Sequence, residues 1–453
     1  MSAGMVRLGL IPPGRPLDAT VRPPGSKSET NRALVCAALA AGRSTLSDVL
    51  LADDTMAMVD CLSGLGVPIR VEESSADTTD GFPAVDNGRI VVDGVDGRVL
   101  PTSEAIDARL SGTTARFIAP VASLAVRTVR LTGAPGLVAR PMSDLIVALR
   151  SLGVRVVETG LPGHLPLQIS SSDRSGIAIT GGAITLRGDV SSQFLSGLLL
   201  AGPCMSEGLR VDLSTELVSE PYVALTIDVM RRFGAKVEGG SADGFTVAPT
   251  GYRSAELSIE ADASAASYLM AAPLFAGGRI RVNGIGTETR QGDAVFADLL
   301  ASMGAQVTQG AGWTEVAAAG TLRAIDVDLR DASDLAQSIA VVASIADGTS
   351  RVRGIGFIRA KETDRIAATV TELRRVGISA EETDDGFTVE GGRPHGAVVR
   401  TYGDHRMAMS FALLGLRSTG VVIEDPQCVE KTYPGYFGVL AGLSGDTAAQ
   451  RDP

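Results

Sequence analysis

Five times along this chain the same punctuation returns: a helical hydrophobic spacing, a glycine, then β-alternation. The copies are DCLSGLGVPIRV, ALRSLGVRVV, DVMRRFGAKV, DLLASMGAQV and ELRRVGISAE. Their glycines, Gly66, Gly153, Gly234, Gly304 and Gly377, lie 70 to 87 residues apart. Glycine just past the last periodic residue is a helix stop. Repetition at a near-fixed period constrains a fold more than any single motif, because every copy is one supersecondary unit whose apolar face its neighbours must cover. LAGLSGD around Gly442 reads as a degenerate sixth copy.

A second helical pattern interleaves with the first, in NRALVCAALAAGRSTL, ARFIAPVASLAVRTVRL, SSQFLSGLLLAGPCM, ASAASYLMAAPLFAGGRIRV, AQSIAVVASIADGTSRV and HRMAMSFALLGL. These segments are rich in small residues and apolar nearly all round, so they are expected to be buried. Six units, each with one inner helix, one outer helix and several strands, predict an α/β architecture. At 453 residues the length allows about two to four domains, of which two large ones are expected.

Polar and ionic residues crowd the start of each inner helix. They are GSKSETNR (25 to 32), SGTTAR (111 to 116), DVSSQ (189 to 193), EADASAAS (260 to 267), DASDLAQS (331 to 338) and YGDHR (402 to 406). For any one of them the ordinary reading is a Ser, Thr or Asp N-cap. Six in register, several carrying Arg or Lys, suggest helix ends that share one cavity and trap anions with free N–H groups and positive dipole ends. The cations in or near these motifs are Lys27, Arg32, Arg116, Arg140, Lys361, Arg365, Arg406 and Lys431. The chain as a whole is acidic, with a formal net charge of −11. Clustered cations in an acidic protein focus field on small, multiply charged anions.

Lysine occurs only at 27, 236, 361 and 431, so 37 of the 41 basic residues are arginine. Three of these four lysines are singled out as positions where a compact ammonium does what a planar guanidinium cannot: Lys27, Lys361 and Lys431. The charge balance argues against nucleic acid. No apolar run is long enough to cross a bilayer and no leader pattern opens the chain, so a soluble cytoplasmic protein is expected. Cys36, Cys61, Cys204 and Cys428 lack CxxC spacing and are expected to be reduced structural thiols, and with three histidines in the chain a histidine-rich metal site is excluded. His405 neighbours Arg406 and is read either as arranging charge or as a structural imidazole. Asp53 and Asp54 are read as a helix N-cap pair, Trp313 as structural, and the residues beyond Leu443 as a frayed tail.

PPGSKSETNRALVCAALAAG, SGTTAR, RPM, DVSSQFLSGLLLA, SEPYVALTIDVM, DASAAS, QGD, KETDR, YGDHRMAMSFALL and KTYPGYF together resemble the 5-enolpyruvylshikimate-3-phosphate synthase family. The likeness runs from about Pro23 to Phe437, in the family's order. It implies the enolpyruvyl transferase fold, an inside-out α/β barrel of two similar domains. Each has three βαβαββ repeats, and the active site lies in the interdomain cleft. One domain is expected to comprise 1–25 with 262–453, and the other, inserted, 26–261.

The family resemblance implies transfer of the enolpyruvyl group of phosphoenolpyruvate to the 5-hydroxyl of shikimate 3-phosphate, with release of phosphate, on the route to aromatic amino acids. Lys27, Ser28, Arg32, Ser191, Ser192, Gln193, Ser219, Tyr222, Asp334 and Lys361 are implied to bind shikimate 3-phosphate. Lys27, Gly112, Arg140, Gln193, Arg365, Arg406 and Lys431 are implied to bind phosphoenolpyruvate, at the site the herbicide glyphosate occupies in this family. Asp334 resembles the base that takes the hydroxyl proton, preferred over Asp331. Glu362 resembles the acid/base at the methylene carbon, with Lys27 assisting. Phe357 stands where relatives carry a polar, substrate-contacting side chain. No metal or organic cofactor is implied, domain closure around the ligands is expected, and a monomer is the expected state, without nucleic acid or membrane partners.

Other readings fare worse. A UDP-N-acetylglucosamine enolpyruvyl transferase would carry a cysteine in the loop that here reads GAPGLVARPM and an asparagine where Ser28 follows Lys27. A non-catalytic phospho-anion binder would have no need of both Asp334 and Glu362. GIGTET lacks the third glycine of a dinucleotide fingerprint, and RNA cyclase-like proteins, which use related units, fit poorly with the acidic balance.

Overall fold

A computed structural model describes residues 6–72, 87–170, 179–318 and 320–444. The helices among them are α1 (Lys27–Leu39), α2 (Asp53–Gly64), α3 (Gly112–Ser123), the single turn α4 (Pro135–Val138), α5 (Ser143–Ser151), α6 (Ser192–Ala201), α7 (Glu220–Arg232), α8 (Ala263–Ala276), α9 (Phe296–Ser302), α10 (Ala336–Ala343), α11 (Arg365–Arg375), α12 (His405–Ala412) and α13 (Tyr436–Ser444). They divide into two units, one of residues 25–72 with 87–259, the other of 6–24 with 260–444. Each unit has its own hydrophobic core.

The repeat is plainest in the middle of the first unit. Strand Ala105–Asp107, helix α3, strand Val129–Thr132, helix α5 and the pair Arg155–Glu158 and Leu167–Ser170 follow in order. In the sheet the first strand runs parallel to the second, the fourth antiparallel to the second, and the third lies beside the fourth. Strands Gly182–Leu186, Leu209–Leu213, Val237–Gly240 and Gly244–Val247 reproduce this order around α6 and α7. In the other unit, Asp326–Asp328, Thr349–Arg353, Ala380–Thr383 and Gly386–Glu390 do so around α10 and α11. Parallel pairing of the first two strands is possible because a helix crosses between them.

Each unit closes by borrowing a strand. Tyr252–Arg253 and Glu256–Ser258, at the far end of the first unit, run parallel to Ala40–Leu50 and complete the sheet of α1 and α2. In the second unit Leu17–Val21 runs parallel to Gly278–Asn283, completing the sheet of α8 and α9. Among the described residues the strands of the last repeat are Val398–Val399, Val422–Glu424 and, antiparallel to the latter, Arg7–Gly9. Gly442 lies inside α13, and whatever follows Ser444 is outside the described residues.

The five glycine stops end α2, α5, α7, α9 and α11, all at positive φ. At Gly66 a Cβ would also meet Leu100 O at 2.1 Å, so both conformation and space demand glycine. The inner helices α1, α3, α6, α8, α10 and α12 are buried along almost their whole length. α3 and α6 approach so closely that a Cβ on Gly197 would lie 2.3 Å from Arg116 O. A methyl there has to force two helix backbones apart. That cost exceeds the gain in helix propensity, so Gly197→Ala is expected to lose about 1–3 kcal/mol. Gly438→Ala in α13, where nothing lies within 4 Å, is expected to gain about 0.5–1 kcal/mol from propensity. Urea midpoints of the two variants check the contrast, and an unchanged Gly197→Ala would contradict the close approach.

Candidate active site

In the first unit three neutral caps open the inner helices. The hydroxyls of Ser26, Ser111 and Ser191 accept the N–H groups of Glu29, Thr114 and Gln193. A serine cap takes up one N–H without adding charge, so the first turns keep their positive character. Lys27, the first residue of α1, sets its Nζ 3.3 Å from Asp54 Oδ2. Asp53 and Asp54 are not the cap of α2: Ala52 holds that place, its N–H taken by Thr55 Oγ1 at 3.0 Å. Asp54, 4% exposed, serves instead as a counter-ion to Lys27.

Arg32 is turned inward. Its Nε donates to Thr226 Oγ1 at 2.7 Å, Nη1 to Ser28 O at 2.8 Å and Nη2 to Tyr222 O at 3.0 Å, and the guanidinium lies over the Phe117 ring. Burial pulls its pKa down to about 10. This is a strut that fixes the backbone at Ser28 and Tyr222. Ser219, buried and left-handed at φ 55°, precedes α7 and accepts the N–H of Tyr222 with its carbonyl.

Gln193 ties α6 to α3. Its Oε1 accepts from Arg116 Nη1 at 2.5 Å and its Nε2 donates to Thr113 Oγ1 at 3.1 Å. A Cβ on Gly112 would sit 3.1 Å from Arg140 Nη1 and 3.5 Å from Arg116 Nη1, so two buried guanidiniums converge on the start of α3. Arg116 is one of the cations of the helix-start motifs, and the resemblance implies no role for it. Its place in SGTTAR, one turn past the cap, was the signal.

The second unit carries its charges differently. Arg365, 2% exposed at the head of α11, donates through Nε to Asp404 Oδ2 at 2.8 Å, through Nη1 to Asp334 Oδ1 at 3.0 Å and through Nη2 to Glu362 Oε2 at 2.8 Å. Burial opposes its charge, but Asp404, Glu362 and Asp334 outweigh that and raise its pKa above the ordinary value. Arg406 Nη2 donates to Asp334 Oδ2 at 2.6 Å, and its Nη1 to Asp334 O at 3.1 Å and Tyr268 OH at 3.4 Å. Lys431 Nζ reaches Glu362 Oε1 at 2.8 Å. Lys361 Nζ stands 5.9 Å from the centre of the Phe357 ring. Asp334 therefore bridges two arginines, whereas Asp331 is exposed.

Here the caps are carboxylates: Asp262 caps α8 and Asp404 caps α12. Helix α10 has no side-chain cap and is led in by the 3-10 turn Ser333–Leu335 that carries Asp334. The capping reading thus holds at five of the six inner helix starts. The neutral caps belong to the first unit; in the second, two of the three inner helices start on a carboxylate, α10 starts without a side-chain cap, and Arg365, Arg406 and Lys431 bring positive charge. His405 is buried with Nδ1 3.8 Å from Asp404 Oδ1. Glu372 of α11, fully buried, accepts from Tyr402 OH at 2.7 Å and Arg400 N at 3.1 Å, pinning the left-handed Tyr402 ahead of α12. Trp313 packs under Arg281.

Residues 11–440 match the family model described as EPSP synthase (3-phosphoshikimate 1-carboxyvinyltransferase). The chain is 42% identical over 439 residues to the 3-phosphoshikimate 1-carboxyvinyltransferase of Thiobacillus denitrificans, covering 95% of this chain and 98% of that one. It is 40% identical over 424 residues to that of Trichormus variabilis, covering 93% and 96%. Its fold is similar to the solved EPSP synthase of Acinetobacter baumannii, with a TM-score of 0.78 at 24% identity over 99% of each chain. The enolpyruvyl transferase NikO from Streptomyces tendae is also similar in fold, with a TM-score of 0.76 at 18% identity over 99% and 100%.

Burial pushes the carboxyl of Asp293 up to about 6, helped by Asp334 and opposed by Arg406 and Ser264. The native state therefore holds this proton where the unfolded chain, with an ordinary value of about 3.9, has released it. Its contribution to stability is present below about pH 4 and is lost as pH rises toward 6. Asp293→Asn is expected to gain steadily on the parent in thermal midpoint across that interval; parallel curves would contradict the raised value.

Proposed function

The chain belongs to the EPSP synthase (3-phosphoshikimate 1-carboxyvinyltransferase) family and transfers the enolpyruvyl group of phosphoenolpyruvate to the 5-hydroxyl of shikimate 3-phosphate, releasing phosphate; from that premise we propose how its residues divide the work. Shikimate 3-phosphate is assigned to the serine-capped helix starts of the first unit, through Lys27, Ser28, Ser191, Ser192, Gln193, Ser219 and Tyr222, together with Lys361 and Asp334. Arg32 acts there by holding Ser28 and Tyr222 in place. Phosphoenolpyruvate is assigned to Arg365, Arg406 and Lys431, with Lys27, Gly112, Arg140 and Gln193; Arg116, beside Arg140 at Gly112, is added to that set.

Transfer needs a proton on the methylene carbon of phosphoenolpyruvate while the acceptor hydroxyl loses one and its oxygen bonds to the adjacent carbon. Phosphate then leaves the tetrahedral adduct as a proton returns from the methyl group and the double bond re-forms. Asp334 is assigned to the hydroxyl proton and Glu362 to the carbon, assisted by Lys27. The observation that carries this reading is the sharing of Asp334 between Arg365 and Arg406, beside a Glu362 shared between Arg365 and Lys431. Both carboxylate oxygens of Asp334 are held by arginines, Oδ1 by Arg365 and Oδ2 by Arg406. An incoming phosphoenolpyruvate anion competes for those same guanidiniums, and the oxygens it frees on Asp334 are then available to the proton of the acceptor hydroxyl. The cations then meet the charge on the adduct and on departing phosphate.

No helix among the described residues is long and apolar enough to cross a membrane. We further propose a cytoplasmic monomer without nucleic acid or membrane partners, which sedimentation of the purified protein checks.

Purified protein mixed with both substrates is expected to release phosphate, and release without shikimate 3-phosphate would point to another acceptor or to hydrolysis. Lys27→Ala is expected to abolish turnover while the circular dichroism spectrum stays that of the parent. Asp334→Asn is expected to lower kcat by about 100-fold or more; full turnover in either variant would remove that residue from its role.

A further inference from the structure

Asp293 takes no part in the chemistry above, yet it is wired into the cluster. It lies in the 3-10 turn Gly292–Val295, 3% exposed, and accepts a short hydrogen bond from Ser264 Oγ in the first turn of α8. Ser264 Oγ in turn accepts from Arg406 Nη2 at 3.4 Å. The turn is anchored by Gln291, whose Oε1 takes the N–H of Ala263 at 3.1 Å and whose Nε2 donates to Ala261 O at 2.6 Å. Facing Asp293 are Arg406 of α12, Asp334 ahead of α10 and Asp262 at the cap of α8, while Asp298 of α9 is exposed.

From this relay, N–H of Arg406 to hydroxyl of Ser264 to carboxylate of Asp293, we infer that Asp293 sets how strongly Arg406 grips its anion: charged, it lends the guanidinium a second counter-ion; protonated, it withdraws it. The inference rests on the assignment of Arg406 to phosphoenolpyruvate. Arg406 already faces Asp334 directly, so a further negative charge one hydroxyl away reduces what remains for a ligand. Burial places the titration near neutrality instead of in acid, with a midpoint of about 6, where the switch operates under assayable conditions. Asp293 is thus a positioning residue that acts through Ser264.

The test is the KM for phosphoenolpyruvate of the full-length protein at saturating shikimate 3-phosphate, at pH 5.5 and pH 8, for the parent and for Asp293→Asn. Comparing the two proteins at each pH cancels the titration of phosphoenolpyruvate itself. At pH 8 the variant is expected to lower KM by about 3- to 10-fold. At pH 5.5, where Asp293 is largely protonated, the two proteins are expected to agree within about twofold. Ser264→Ala, which removes the relay hydroxyl, is expected to flatten the dependence in the same way, and carries the test should the first variant not fold. Equal KM values at pH 8, or a shift of the same size at both pH values, would overturn the inference and leave Asp293 a structural anchor. Arg406→Lys separates the two layers: an unchanged KM refutes the assignment of Arg406, whereas a KM raised about tenfold or more beside a parent-like Asp293→Asn refutes this inference alone.

Discussion

A guanidinium with almost no exposure to water keeps its charge only if carboxylates stand beside it, and Arg365 has three. Taking the charge out of water costs several kcal/mol, and only close, hydrogen-bonded partners offset that. The partners come from separate stretches of chain: Asp334 from the turn before α10, Glu362 from the segment before α11 and Asp404 from the cap of α12. Their meeting requires three successive helix starts to be held in register. Asp364 secures α11 by capping Ile366 and Ala367, and Glu372, about two turns further along the same helix, secures the loop that presents Asp404.

Two units with one folding plan have arrived at opposite electrostatics at corresponding places. Neutral serines cap α1, α3 and α6, so the dipole ends there remain available to an anion. Asp262 and Asp404 cap α8 and α12 and offset their dipole ends, α10 starts without a side-chain cap, and Arg365, Arg406 and Lys431 carry the positive charge there. A guanidinium can be moved and shared, whereas a backbone N–H is fixed in its turn. The side-chain cluster is therefore suited to exchanging an internal carboxylate for a ligand, and the serine-capped ends to holding a phosphate still.

Much of the fold was legible because the signals are local. A glycine that ends a helix, a serine or aspartate that begins one and an apolar run between them act within a few residues, and Gly66, Ser191 and Asp404 occupy those places. The borrowed strands were not legible. Leu17–Val21 pairs with residues some 260 positions away, and such pairing depends on which edge the folded unit leaves open. Among the candidate residues the cations stood out by type, but their partners did not. Asp54 beside Lys27 looked like a cap, and nothing in QGD by itself says that Asp293 reaches Arg406 through a hydroxyl on another element.

By itself, then, the amino-acid order determined a repeated α/β chain with buried helices that begin in polar, cation-bearing motifs, because helix initiation, termination and burial are written in short-range periodicity. Which carboxylate meets which guanidinium was decided only in three dimensions. Coulomb and hydrogen-bond energies depend on separations of a few ångströms and on exclusion of water, and both are properties of packing between segments far apart in the chain. Arg32 shows the difference: its motif marks it as a cation at a helix start, and only the folded chain shows that it donates to Thr226, Ser28 and Tyr222.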